Sequence, residues 1–473
     1  MNEDASDRQS PPRDTSSLVL VDRPSGSETV TDDDWFIQWR RRELARVDRA
    51  DIAYLDYTGA ALYPASLVQR DTERLANSVV GNPHSRAAPS LAATRSILEA
   101  RHAVLEFLNA DEGEYTVIFT ANASAACKLV GESFPFRHSS VFALAADNHN
   151  SVVGIREYAL ARGANIEVLP LDHDLRLPSE QAARLRSAPP APSLLAFPAQ
   201  SNFSGVRHPL ELVATARRLG WRVLLDAAAY LPTANLNLRL IQPDFVCLSL
   251  YKIAGYPTGV GALVARHDAM RALQRPAFSG GTVQWVSLQH GRHELLKGAE
   301  GFEDGSPAFL ALGAVSTALT AIRDSGRERL GRHLAHLTKA TLHGLITARH
   351  LNGSPRIRLH GPHDTYDRGA TVAFTVLDDA GKPVPFWIVE ELARGAGIAV
   401  RGGCFCNPGC AERAFGFDVG PTLPCLDVLG DDFTIPRFAE CMEGHAVGAV
   451  RVSMGLGSVA SDVQRLLSFV ETM

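Results

Sequence analysis

Residues 244–259 read DFVCLSLYKIAGYPTG, an apolar run typical of a buried strand that carries Lys252 to a glycine-rich turn. A charged lysine at the end of a buried strand is costly unless it is paired, so its presence there favours a chemical use. An amine in such a place can form an imine with an aldehyde, which removes the charge. The alternative is an ordinary lysine that faces solvent or contacts a phosphate.

A carboxylate ends another apolar run earlier in the chain. The segment Leu224-Leu225-Asp226 places Asp226 after a strand-like stretch. An acid for a pyridinium nitrogen and an amine for an aldehyde are the two groups that pyridoxal 5'-phosphate needs. The order of Asp226 and Lys252 in the chain is therefore compatible with that cofactor.

Composition narrows the class of protein. Of 473 residues, 45% are hydrophobic and 21% are charged, which is typical of a soluble globular protein. The formal net charge of −5 gives no reason to expect a nucleic-acid or membrane-surface partner. There is no run of about eighteen apolar residues and no secretory leader. Seven scattered cysteines do not indicate a disulfide framework, so we expect a reducing, cytoplasmic location.

Short β-rich runs alternate with helix-like segments through the middle of the chain, which predicts an α/β fold with a mostly parallel central sheet flanked by helices. A short strand is predicted over Ile52–Asp56. The predicted central strands are Tyr115–Phe119, Ser140–Leu144, Ile166–Leu169, Ser193–Phe197, Arg222–Leu225 and Phe245–Leu248. The predicted helices are Trp35–Val47, Ser124–Glu132, Ser151–Ala161, Ser179–Ser187, Pro209–Leu219 and a helical stretch from Gly305-Ser306-Pro307 to about His350.

The change in character along the chain predicts its domains. We expect a disordered tail over 1–30, an N-terminal arm over 31–65 that packs on the small domain, a large cofactor-binding α/β domain over 66–320 and a smaller α+β C-terminal domain over 321–473. Strand carboxyl ends in such sheets are where ligands bind, so we expect the functional residues to lie there.

Two segments just past predicted strands have a functional and an ordinary interpretation. The turn Thr120–Ala126 opens a helix, whose free N–H groups suit a phosphate, or it is a plain turn capped by Ser124. In Asn148-His149-Asn150-Ser151, the imidazole of His149 can stack on a cofactor ring and move protons, or it is a satisfied polar residue.

Residues 400–410 read VRGGCFCNPGC, and the three cysteines in this Gly/Pro-rich loop are expected to be exposed enough to react. Arg401 nearby is expected to favour a thiolate. The competitors are an inert loop and a zinc site, although C-x-C-x3-C is an unusual zinc spacing and a fourth ligand is needed. We therefore assign no metal.

Taken together, the motifs resemble the class V aminotransferase-fold, or cysteine desulfurase, superfamily of pyridoxal-phosphate enzymes, and in particular the N-terminal domain of molybdenum cofactor sulfurases. The segments that carry the resemblance are YLDYTGAALY at 54–63, GNPHS at 81–85, SLYKIAGYPTG at 249–259, GGTV at 280–283, FEDGSP at 302–307 and the loop from Arg401 to Gly409. They occur in the family's order, from about residue 35 to the end.

The resemblance implies a role for each candidate residue. Lys252 is the Schiff-base lysine, Asp226 lies under the pyridinium nitrogen, His149 stacks on the ring and Asn202 lies near the ring hydroxyl. The phosphate is held by Ala123, Ser124 and Ser249, and by Thr282 from the neighbouring subunit, which implies a homodimer. Arg451 grips the substrate carboxylate and Cys406 forms the persulfide.

The implied activity is the removal of sulfur from L-cysteine through a Cys406 persulfide to give alanine, with a sulfur-acceptor protein as a partner. The alternatives are a pyridoxal-phosphate lyase, epimerase or aminotransferase that acts on another amino acid, and a non-catalytic subunit. Ala229 and Tyr251 replace a glutamine and a histidine found in many desulfurases, which points to the sulfurase branch. Because Met473 follows Arg451 closely, we expect no molybdenum-cofactor-binding domain.

Overall fold

A computed structural model of the chain describes residues 32–178, 180, 181, 185, 189, 191–417 and 419–473. The predicted tail over 1–30 lies outside the described residues, and so does most of the predicted helix Ser179–Ser187. Among the described residues, every helix is too short or too polar to cross a membrane.

The strands are β1 Ala53–Tyr54, β2 Tyr115–Thr120, β3 Val141–Ala145, β4 Asn165–Leu169, β5 Leu194–Pro198, β6 Arg222–Asp226, β7 Phe245–Ser249, β8 Gly261–Arg266, β9 Val283–Ser287, β10 Arg292–Leu295, β11 Ile357–His360, β12 Thr371–Val376, β13 Ile398–Ala399, β14 Arg401–Gly403 and β15 Ala449–Ser453.

The helices are α1 Asp32–Glu43, α2 Ala45–Arg49, α3 Ala65–Ala76, α4 Ala88–Phe107, α5 Ala123–Ser133, α6 Asn150–Val153, α7 Ile155–Ala161, α8 Glu211–Arg218, α9 Leu250–Ala254, α10 His267–Ala272, α11 Phe309–Leu312, α12 Val315–Asp324, α13 Arg327–Thr347, α14 Phe386–Gly395, α15 Pro408–Phe415, α16 Val419–Leu429, α17 Ile435–Cys441 and α18 Ala460–Thr472.

The central sheet has seven strands in the order β2-β8-β7-β6-β5-β3-β4. Strands β7, β6, β5, β3 and β4 pair in parallel, while β8 runs antiparallel to both β7 and β2. The prediction of an α/β fold with a mostly parallel sheet is confirmed. Strand β8 was not predicted, because Gly259 and Gly261 at its start make it resemble the end of the preceding turn.

Alternate residues of each central strand contribute to two cores, one on each face of the sheet. In β3, Ala143 and Ala145 pack into one core, while Phe142 and Leu144 pack into the other. A strand with both faces covered needs apolar residues at every position, which explains why the sequence shows continuous apolar runs here. The large helix α4 covers the first face and α5 the second.

A second sheet, in the order β11-β12-β15-β14, is entirely antiparallel and packs on α13, α14 and α18. The N-terminal segment joins it, because β1 pairs in parallel with β13 and Asp56 forms a bridge to Ser453. Phe36 and Leu55 from this segment are buried in the same core. The boundaries of the predicted domains stay predictions.

Two kinds of local expectation were wrong, the extent of two predicted helical segments and the cap of α5. The first predicted helix is two helices, α1 and α2, and the helical stretch after 305 is three, with Gly326 in a left-handed conformation just before α13. Ser124 does not cap its helix, because the side chain of Asn122 accepts the capping hydrogen bond from Ala125 N–H. The cysteines include one disulfide, between Cys425 and Cys441, which joins α16 to α17.

Gly255 allows the segment that carries Lys252 to pack closely under the N-terminal arm. Its φ is +74°, and a Cβ there would overlap the Tyr63 nitrogen and lie 2.7 Å from the Ala61 oxygen. Both the left-handed backbone and the crowding require glycine.

We predict that Gly255→Ala destabilises the protein by more than the roughly 1–2 kcal/mol that a left-handed alanine costs by itself. Gly381→Ala is the matched control, because Gly381 has a φ of +81° and an added Cβ there would meet nothing within 4 Å. Denaturant unfolding measures both changes. Equal free energies of unfolding for the two variants would contradict the crowding argument.

Candidate active site

The carboxyl ends of the parallel strands converge on one cavity. Asp226, the last residue of β6, pairs across the sheet with Pro198 of β5 and Cys247 of β7. Asn148, just after β3, ties two strand ends together, because its Nδ2 donates to Ala145 O at 2.8 Å and to Ala196 O at 3.0 Å. The predicted site residues that line this cavity are Ala123, Ser124, His149, Asn202, Asp226, Ser249 and Lys252.

Lys252 lies on the short helix α9, immediately after β7, and not on the strand itself. Its amine has no hydrogen-bond partner within the described residues, and it lines the cavity. Burial lowers the pKa of Lys252, and although Asp226 opposes this effect, the charges of Arg451 and Arg401 reinforce it. A lowered pKa leaves more of the amine in its uncharged, nucleophilic form near neutral pH.

Asp226 and His149 stand at the same edge of the sheet. One oxygen of Asp226, Oδ1, accepts a hydrogen bond from Ala228 N–H at 2.9 Å. The Nδ1 of His149 accepts a hydrogen bond from Ser151 N–H at 3.1 Å, so the neutral ring carries its proton on Nε2. Burial lowers the pKa of His149, with Asp226 acting in the opposite direction. The ring is therefore held neutral, in one tautomer.

A cradle for an anion is formed where α5 begins. Asn122 caps the helix by accepting from Ala125 N–H, which leaves the backbone N–H groups of Ala123 and Ser124 at the helix start for a ligand. The hydroxyl of Ser124 lies 2.6 Å from that of Ser151. Ser249 Oγ is buried and has no hydrogen-bond partner within the described residues. A Cβ on Gly261 would strike the Asn122 backbone, so only glycine lets β8 approach this turn.

Asn202 connects the cavity to the cysteine loop. Its Nδ2 donates to Phe405 O at 2.7 Å, and its Oδ1 accepts from Asn407 Nδ2 at 2.9 Å. Asn407 also donates to Asp147 O at 2.7 Å and caps α15. Asn202 and Asn407 are both buried. Two side-chain amides thus hold the loop on both sides of Cys406 against the strand ends of the large domain.

Cys406 lies at the exposed tip of this loop. Phe405 and Cys406 both have a φ of +55°, a conformation that costs free energy and turns the loop sharply. The carbonyl of Cys406 accepts a hydrogen bond from Asn150 N–H at 2.7 Å, next to His149. The backbone of Cys406 is therefore fixed at the turn that carries the imidazole.

The expectation that all three loop cysteines are exposed was wrong. Cys406 is exposed, Cys404 is half-buried and Cys410 is buried. Burial raises the pKa of Cys404 to about 11, and burial also raises the pKa of Cys410. Buried thiols of high pKa react slowly, so Cys406 is the one suited to chemistry. Arg401 does not face a thiolate as a free cation, because it is paired with Asp56.

Arg451 is 2% exposed and lies behind the cysteine loop. Its Nη1 donates to Asn202 O at 2.9 Å, and its guanidinium carbon is 4.6 Å from the centre of the Phe405 ring. Its Nη2 donates to Asp56 at 3.0 Å, while its Nε is buried without a hydrogen-bond partner among the described residues. Burial lowers the pKa of Arg451, and Asp56 opposes that effect.

Thr282 does not line the cavity. It is buried at the base of the β9–β10 hairpin, where its hydroxyl donates to Ser279 O at 2.8 Å and accepts from Ser279 N–H at 2.9 Å. No group of three or more His, Cys, Asp or Glu side chains suited to a metal ion occurs within the described ranges.

A family model of aminotransferase class V matches residues 53–466, so the chain belongs to the aminotransferase class V family. The molybdenum cofactor sulfurase of Solanum lycopersicum is 34% identical over 469 residues, which cover 92% of this chain and 56% of that protein. The chain spans about half the length of the curated relatives it matches.

Solved structures show the same fold. The apo structure of a cysteine desulfurase from Thermococcus onnurineus NA1 aligns with a TM-score of 0.77 and 23% identity, covering 92% of this chain and 97% of that chain. A C-DES variant with glycine covalently linked to its PLP cofactor aligns with a TM-score of 0.68 and 17% identity, covering 91% of this chain and 98% of that chain.

The cavity fits pyridoxal 5'-phosphate. It offers a lysine amine of lowered pKa for the aldehyde, the Asp226 carboxylate for the ring nitrogen and, at the start of α5, N–H groups beside the unpartnered Ser249 hydroxyl for the phosphate. Each of these groups supplies what one part of the cofactor requires.

Several residues of the site were missed by sequence reasoning. Asn407 could have been found, because asparagine before proline is typical of a helix N-terminus. The roles of Asp56 and of the Asn150 amide cannot be recognised from neighbouring residues in the sequence. The arginine partners of Asp56 lie 345 and 395 residues away in the chain. The partner of the Asn150 amide is the Cys406 carbonyl.

We predict that Lys252 in the cofactor-free protein reacts with an amine-modifying reagent at lower pH than an ordinary lysine. The lowered pKa means that its amine loses its proton at lower pH, so its labelling rises at lower pH than that of the exposed Lys382. Competitive labelling read by peptide mass spectrometry measures both residues in one sample. Identical pH profiles would contradict the assignment.

Proposed function

We propose that the chain is a pyridoxal-phosphate-dependent cysteine desulfurase, which takes sulfur from L-cysteine and leaves alanine. The observation that carries the proposal is the position of one exposed cysteine, Cys406, close to the cavity that Lys252 lines. The Cys406 carbonyl accepts a hydrogen bond from the Asn150 N–H, next to His149. The similarity to a molybdenum cofactor sulfurase supports the same chemistry.

The cofactor, when bound, supplies an electron sink for the carbanion formed at the substrate α-carbon. Asp226 would keep the ring nitrogen protonated, because a carboxylate close to that nitrogen raises its pKa. Lys252, with its lowered pKa, would hold the cofactor through its amine and serve as the base that moves the substrate α-proton. His149, protonated on Nε2 only, would lie against the ring without adding a charge.

Cys406 accepts the sulfur. Its thiolate attacks the sulfur of the substrate, a new sulfur–sulfur bond forms, and the carbon–sulfur bond breaks with its electron pair left on the substrate carbon. That carbon is then protonated. L-cysteine and the Cys406 thiol thus give alanine and a Cys406 persulfide, with no outside oxidant or reductant.

Arg451 holds the substrate carboxylate in this proposal. Its buried Nε has no partner among the described residues, so a hydrogen-bond donor is free for a ligand. A guanidinium suits a carboxylate here, because it stays charged when buried and presents N–H donors in a fixed plane.

The sulfur then passes to an acceptor protein, which the exposed position of Cys406 allows. A cytoplasmic location stays a prediction. The free cysteines Cys127, Cys247, Cys404, Cys406 and Cys410 suit a reducing compartment, whereas the Cys425–Cys441 disulfide does not.

We predict that Cys406→Ser abolishes sulfide and persulfide formation from L-cysteine but leaves binding of L-cysteine intact. Serine is close in size to cysteine, but it is a far poorer nucleophile toward sulfur, so kcat falls while the spectral change on adding L-cysteine persists. Alanine release and the visible spectrum of the bound cofactor measure the two properties separately.

Cys404→Ser is the matched control, because this thiol lies on the same loop but has a pKa of about 11. It should retain most of the activity. In the wild type, intact-mass analysis should show one added sulfur atom on the Cys406 peptide. If Cys406→Ser kept full activity with its best amino-acid substrate, the proposal of a desulfurase would be wrong, and a lyase or aminotransferase would be the better proposal.

The homodimer is also a proposal, in which Thr282 reaches the phosphate bound by the partner subunit. Support comes from the hairpin that Thr282 begins, because Trp285, Val286 and Leu288 are 45%, 43% and 92% exposed and present apolar surface. Exposed apolar residues grouped on one hairpin are typical of an interface between proteins.

We predict that the holoenzyme is a dimer in light scattering, and that Thr282→Ala weakens cofactor binding without lowering the order of assembly. Thr347→Ala on α13 is the control for removal of a threonine hydroxyl elsewhere. Cofactor dissociation is followed by absorbance. A fully active monomer at assay concentration would remove Thr282 from the site.

A further inference from the structure

The carboxylate of Asp56 bridges two arginines that come from different strands of the small sheet. Its Oδ1 accepts from Arg451 Nη2 at 3.0 Å, on β15, and its Oδ2 accepts from Arg401 Nη2 at 2.5 Å, on β14. Arg401 Nε adds contacts of 3.1 and 3.0 Å to the two oxygens. Asp56 itself is only 8% exposed.

The backbone around Asp56 is fixed without the help of its side chain. β1 pairs with β13, Ser453 N–H donates to Leu55 O at 2.7 Å, and Thr58 N–H donates to Ser453 Oγ at 2.9 Å. A Cβ on Gly59 would lie 2.5 Å from Asp56 Oδ2, so the turn wraps tightly around the carboxylate. The Asp56 carboxylate is therefore presented to the arginines by a rigid segment.

The guanidinium of Arg451 has three contacts, and together they fix the orientation of its plane. Asn202 O binds Nη1, Asp56 binds Nη2 and the Phe405 ring lies 4.6 Å from the guanidinium carbon. Of these groups Asp56 is the only charged one, and it opposes the lowering of the Arg451 pKa by burial. The other titratable groups near Arg451 are Arg401, Cys406 and Lys252.

We propose that Asp56 is a positioning residue for the substrate carboxylate, because it orients Arg451 and balances its charge before the substrate arrives. The inference rests on the proposed function, in which Arg451 receives that carboxylate. Asp56 does not touch the substrate. Arg451 keeps its Nε free for the ligand, since its Nη1 and Nη2 each already have a fixed partner.

Asp56→Asn tests the proposal, because asparagine keeps the shape but loses the charge. We expect the KM for L-cysteine to rise about 10- to 100-fold, the range for loss of a hydrogen bond to a charged group, while kcat changes little. The inhibition constant of cysteamine, which is L-cysteine without the carboxylate, should stay unchanged in the same variant. Asp56→Glu keeps the charge and should recover part of the lost affinity.

Asp51→Asn is the matched control. Asp51 lies on the same N-terminal segment and pairs with Arg465 at 2.7 Å, but its side chain is 86% exposed. This variant should keep the wild-type KM and kcat. Thermal unfolding of all variants separates a loss of fold from a loss of substrate affinity.

An unchanged KM in a folded Asp56→Asn variant would overturn the inference. A fall in kcat with KM unchanged would also overturn it, since the residue would then act through Arg401 and the cysteine loop. If the wild type releases no sulfur from L-cysteine, the proposed function fails separately. The comparison is then made with the amino acid that the enzyme does process and with the amine that lacks its carboxylate. If Asp56→Asn raised the KM of the amino acid and the inhibition constant of the amine equally, the proposed role of Asp56 would be wrong.

Discussion

The buried amide pair of Asn202 and Asn407 is the interaction on which the geometry of the site depends. It joins the strand ends of the large domain to the cysteine loop, because each amide uses both its donor and its acceptor in fixed bonds. A buried polar group that loses its hydrogen-bond partner lowers the stability of the fold, so the network favours the one arrangement of the loop that satisfies both amides. The strained backbone of Phe405 and Cys406 is held in place by the same bonds.

Electrostatic balance explains why three cations can share one small region. Lys252, Arg401 and Arg451 lie close enough for each charge to influence the others, and two carboxylates, Asp226 and Asp56, oppose them. The balance is uneven, because Arg401 is half exposed and firmly paired, which raises its pKa. Lys252 has no ion-pair partner in the part of the chain that the structure describes, and its pKa falls. The lysine is thereby left as the reactive amine.

Much of the large domain could be predicted from the sequence, because strands covered on both faces require unbroken apolar runs. The six predicted central strands all occur, each within one residue of its expected ends. β8 was not predicted, because Gly259 and Gly261 are typical of a turn and stand at the start of the strand. The placement of Asp226 and Lys252 at strand ends followed from the same runs, and the structure brings them to one cavity.

The sequence by itself determined the fold class and the order of the strands along the chain, since these follow from local patterns of apolar and small residues, and its resemblance to a known family indicated most of the chemical groups that line the cavity. Only the tertiary structure decided which of three similar cysteines is exposed, that Arg401 is neutralised by Asp56, and that Arg451 has a fixed orientation. The physical reason is that burial, pKa and ion pairing depend on partners hundreds of residues away, about which neighbouring residues in the chain carry no information.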